Sequence, residues 1–86
     1  MKLKSDFITQ QIDDTLYLVP VGTEEFRGIV KNNKTAAFVI NCLKEETTKE
    51  AILDAMLNKY DASKDELSTG MNKVLDTLRQ IGALEE

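Results

Sequence analysis

The side chains able to do chemistry here are mostly carboxylates, and they come in adjacent pairs: Asp13-Asp14, Glu24-Glu25, Glu45-Glu46 and Glu85-Glu86. A catalytic acid and base need surroundings that push their pKa values apart, whereas neighbours in a polar turn share one solvated environment. The pairs therefore read as solvated charge at turns and ends. Histidine, the commonest general base and metal ligand, is absent. The one cysteine, Cys42, lies in an apolar helical pattern and reads as a small buried hydrophobe. Alone it can make neither an internal disulfide nor a cysteine metal cluster. With no Gly-rich phosphate loop and no metal-ligand spacing, the residues predict a protein that is not an enzyme and holds no metal or cofactor.

The elements that would position any other site must come from one core, because 86 residues suffice for a single domain over 1–86 and not for two. Hydrophobic residues at 42% and charged residues at 30% argue for a folded chain rather than a disordered one. No apolar run approaches the ~18 residues of a membrane span. Met1-Lys2-Leu3-Lys4 is basic but lacks the apolar stretch of a secretory signal, so the expected location is the cytoplasm, away from membranes. The net charge of −4, from 15 acidic and 11 basic residues, disfavours nucleic acid as a partner.

Periodicity changes partway along the chain. Phe7 to Ile12 and Thr15 to Val19 read as two strands joined at Asp13-Asp14, with Ile8 and Ile12 on one parity and Phe7 on the other. Pro20 cannot donate to a ladder and weakens the end of the second strand. After the polar loop Gly22-Thr23-Glu24-Glu25, a third strand is expected at Phe26 to Lys31, with Gly28 marking a bulge or a close backbone approach. Helices follow. Asn33 is the expected cap of the first, and Ala36, Val39, Ile40 and Leu43 form its buried stripe, widened by Phe38 and Cys42. Thr47 with Glu50, and Ser63 with Glu66, fit capping boxes. They open a second helix buried through Ile52, Leu53, Met56, Leu57 and Tyr60, and a third through Leu67, Met71, Val74, Leu75, Leu78 and Ile81. Gly82 is the expected left-handed C-cap, and Gly70 leaves room inside the last helix for a close neighbour. The expected fold is α+β: a small winged-helix-like domain with a three-stranded antiparallel sheet followed by three helices.

Three uses of such a frame stay open on pattern alone. Winged-helix DNA binding would want a one-sided basic face, whereas the last two helices mix Lys49, Lys59, Lys64, Lys73 and Arg79 with Glu50, Asp54, Asp65, Glu66 and Asp76. A third strand at the sheet edge could instead accept a peptide, or pair with another copy as a dimerisation module. The plainest reading puts Phe26, Ile29 and Val30 in the core.

The order of landmarks narrows the choice. Leu18-Val19-Pro20-Val21-Gly22, Val30-Lys31-Asn32-Asn33-Lys34-Thr35-Ala36-Ala37, Thr47-Thr48-Lys49-Glu50, Tyr60-Asp61 and Val74-Leu75-Asp76-Thr77-Leu78 through Ala83-Leu84 together resemble the PqqD family, across nearly the whole chain. The resemblance implies a non-catalytic peptide chaperone that binds the leader of a ribosomally made precursor peptide. It would present that peptide to a maturation enzyme, typically a radical S-adenosylmethionine protein, in pyrroloquinoline quinone or related biosynthesis. It also implies that the leader adds beside the third strand and rests on the third helix. Carried over, the peptide-binding residues would be Arg27, Gly28, Ile29, Val30 and Lys31 with Met71, Val74, Leu75 and Leu78. Two positions depart from the family pattern: Asn32 stands where a leucine is usual, and Gly70-Met71 where an Asp-Val pair is common.

Overall fold

In the computed structural model, which describes residues 1–22 and 28–86, the elements run β1 (Lys2–Leu3), β2 (Phe7–Ile12), β3 (Thr15–Pro20), β4 (Val30–Asn32), α1 (Lys34–Cys42), α2 (Lys49–Lys59), α3 (Lys64–Gln80) and β5 (Leu84–Glu85). The α+β frame is the expected one, a three-stranded antiparallel sheet in the order β2-β3-β4 with three helices.

The hairpin turns at Asp13-Asp14, where Ile12 opposes Thr15 and Asp13 takes a left-handed φ of 54°, a conformation that a short polar side chain tolerates. Alternation then sends Phe7, Leu16 and Leu18 into the core and leaves Ile8 and Ile12 about half exposed on the outer face. The third strand begins later than the sequence pattern predicts. Extending the register of Leu18↔Val30 outward would set Ile29 against Val19 and Gly28 against Pro20, which has no N–H to give. Gly28 and Ile29 accordingly precede the strand, Ile29 is 65% exposed rather than part of the core, and Val30 is half-buried against it. The expected Phe26 and Arg27, with the Thr23-Glu24-Glu25 part of the loop, lie outside the described residues.

Each helix starts on a side-chain cap. Asn33 accepts the Ala36 N–H at 2.8 Å and Ser63 accepts that of Glu66 at 3.2 Å, as their spacing predicts. The cap of α2 is one residue later than expected: Thr48, not Thr47, accepts from the Ala51 N–H at 3.1 Å. Thr47 is committed elsewhere, its N–H donating to the Met1 carbonyl at 2.9 Å and its carbonyl accepting from the Met1 ammonium at 2.8 Å. On α2, Ile52 and Met56 are buried, whereas Leu57 is exposed and Tyr60 meets the Phe38 ring edge-on at 5.6 Å.

The last helix ends in a Schellman motif. With Gly82 at φ 75°, its N–H reaches the Arg79 carbonyl at 3.1 Å and the Ala83 N–H reaches that of Leu78 at 2.8 Å. The reversed chain buries Ala83 and Leu84 and pairs β5 antiparallel with β1, a second, two-stranded sheet that the sequence pattern did not predict. The core between sheet and helices centres on Leu18, Val39, Ile40, Leu43, Ile52, Met56, Leu75 and Leu78, all fully buried. Among the described residues, no helix is long and apolar enough to cross a membrane.

Candidate functional site

β4 is the outermost strand on its side of the sheet, and among the described residues no strand pairs with its far edge. The hydrogen bonds of Asn32 reveal what that edge offers. Its Nδ2 donates to the Leu16 carbonyl at 3.2 Å and to the Val30 carbonyl at 3.1 Å. One nitrogen reaches both when the two carbonyls point into the gap between β3 and β4. In an antiparallel ladder successive residues point their N–H and C=O in opposite directions, so those of Lys31 face outward. Asn32 thus ties the strand to the sheet.

Beside this edge lies a groove of about 230 Å³. One wall is Val30, Lys31 and Asn32; Asn33 and Ala36 from the start of α1 form its base; the other wall is Lys73, Val74, Thr77 and Leu78 of α3. The helix wall follows from periodicity, since Lys73 and Thr77, and Val74 and Leu78, are each one turn apart. Thr77 Oγ1 donates back to the Lys73 carbonyl at 3.0 Å, and Val74 with Val30 across the groove supplies apolar lining.

The groove brings together four of the expected site residues: Val30, Lys31, Val74 and Leu78. Gly28 and Ile29 lie just ahead of the strand and exposed, and Arg27 lies outside the described residues. Met71 and Leu75 do not line it. Leu75 is fully buried beneath α3, and Met71, 3% exposed, lies on the side of α3 that meets Leu53 of α2. Sequence reasoning missed Asn32, Asn33, Ala36, Lys73 and Thr77 as lining residues. The signal for Lys73 and Thr77 was available, because both flank Val74 and Leu78 on one helical face.

A larger depression of about 520 Å³ lies over β1 and β2, lined by Lys2, Lys4, Ser5, Thr9, Lys44 and Glu85 with Leu3, Phe7 and Ile8. Its lining is more polar than that of the groove beside β4. Partial burial pushes the Cys42 thiol up. Glu86 is held low by its hydrogen bonds to Arg79, at 2.7 and 3.0 Å, and Glu46 by that to the Met1 ammonium at 2.6 Å; both carboxylates are fully exposed structural partners.

Two solved structures share this fold. TbiB1 in complex with the TbiA(beta) leader peptide superposes with a TM-score of 0.81 at 22% identity, covering 99% of this chain and 95% of that one. Lasso peptide synthetase B1 complexed with the leader peptide gives 0.79 at 15% identity, covering 99% and 96%. A search of curated proteins finds no match. The model of Coenzyme PQQ synthesis protein D matches residues 18–84, from β3 through the groove and all three helices to β5, and the chain belongs to this PqqD family.

Proposed function

We propose that this protein binds the leader segment of a ribosomally made, modified precursor peptide and presents it to a maturation enzyme. The observation that carries this reading is the outward-facing backbone of Lys31 alongside a groove floored and walled by Val30, Ala36, Val74 and Leu78. An extended segment pairs with the first and packs alternate side chains on the second. Ordering such a segment costs ~2–5 kcal/mol, so backbone pairing alone does not suffice and the apolar wall must contribute. Family membership and the leader-peptide complexes with the same fold support the partner class. A radical S-adenosylmethionine protein is the proposed maturation enzyme, in pyrroloquinoline quinone biosynthesis or a related pathway. The chain acts without chemistry of its own.

The test is calorimetric titration with a synthetic leader segment of a precursor peptide. Lys31→Pro removes the outward N–H while an edge position tolerates proline, so the variant stays folded and binding falls by at least about tenfold. Lys31→Ala keeps that N–H and weakens binding severalfold at most. Unchanged affinity in folded Lys31→Pro would rule out strand addition at β4.

A further inference from the structure

The groove carries a charge pattern opposite to that of the molecule. The chain as a whole is at −4, yet Lys31 stands on the strand bordering the groove and Lys73 on its helix wall, with Lys34 in the adjoining depression. Among the described residues neither Lys31 nor Lys73 has an ion-pair partner. The nearest acid along α3, Asp76, is engaged by Arg79 at 2.9 Å, and Asp14 is the single carboxylate among the described residues that line the adjoining depression. The positive end of α1, capped by Asn33 at the base of the groove, adds to the same potential.

Strand geometry separates Lys31 from the charges on the helix side, and Lys31 alone sets a register. Lys31 opposes Tyr17 and belongs to the outer face, whereas its neighbours Val30 and Asn32 oppose the buried Leu18 and Leu16 and belong to the face toward the helices. A residue paired directly with Lys31 across the open edge puts its side chain on the Lys31 side. The residues before and after it turn toward Val74 and Leu78. We propose, resting on the peptide-binding reading above, that the bound segment carries an apolar–acidic–apolar triplet whose acidic residue stands opposite Lys31. The two apolar side chains fill the groove, and the carboxylate pairs with a lysine that has no ion pair among the described residues.

A phage library of random short peptides, selected in parallel on the wild-type protein and on the K31E variant, tests this. Lys31 is exposed, and circular dichroism checks that the variant is folded. The wild-type pool should enrich Asp or Glu between two apolar residues, and the K31E pool should place Lys or Arg there. An acidic peptide from the first pool should bind K31E about tenfold more weakly, with the gap narrowing at high salt. Pools that enrich apolar residues with no charge between them, or that agree between the two proteins, overturn the triplet and leave the groove reading standing. If neither protein selects a peptide, or selected peptides bind K31P as tightly as wild type, the groove reading fails and this inference with it.

Discussion

At the scale of single residues, Gly70 and the Arg79–Glu86 pair give the sharpest expectations. A Cβ added at Gly70 would meet only Thr35 Cγ2 at 3.8 Å, an ordinary contact rather than the close approach its mid-helix position suggests. Gly70→Ala should therefore stabilise the protein by about 1 kcal/mol in urea denaturation, by lowering the backbone entropy lost on folding. The pH behaviour of Glu86 follows from its partner. Its folded pKa is depressed below the usual 4.5, so the pair contributes stability above that pH and loses it as pH falls through the lower, folded value. Carboxyl NMR titration should place the Glu86 midpoint below 4.5, and Arg79→Ala should return it there. Asn33 and Ser63 were legible as caps because their partners are local. Thr47 was misleading because its backbone is spent on Met1, distant in sequence.

At the scale of elements, what positions the groove is the junction where β4 ends and α1 begins. The Asn33 cap fixes the entry of α1, and Asn33 with Ala36 forms the groove base, so Asn33→Ala should cost about 1 kcal/mol by thermal melting. It should also weaken peptide binding, which a cap far from the groove would not; Ser63→Ala should cost similar stability and leave affinity unchanged. The helices were readable from their stripes. The later start of β4 and the β1–β5 sheet were not. One depends on which residue would face Pro20, and the other on strands of two residues, too short to carry a period. The groove itself was half legible: periodicity names the apolar face of α3, but not that Met71 and Leu75 are consumed by the core while the half-buried Val74, with the edge of the core residue Leu78, borders β4.

At the scale of the molecule, one small core supports both the fold and the groove, and this limits how the groove can be probed. Leu75 is fully buried and Leu78 is 2% exposed. Leu75→Ala should cost ~2–5 kcal/mol in urea denaturation, much of the stability of a domain this size. Binding lost in such a variant would report unfolding, whereas the half-buried Val74 and the exposed Lys31 act on the groove directly. The central claim is that an added strand pairs with the open edge of β4. Amide hydrogen exchange by NMR, with and without saturating precursor peptide, tests it most directly. The Lys31 N–H, open in the free protein, should become strongly protected on binding, while Val30 and Asn32, already turned toward β3, change far less. A bound state in which the Lys31 amide still exchanges freely would contradict the account.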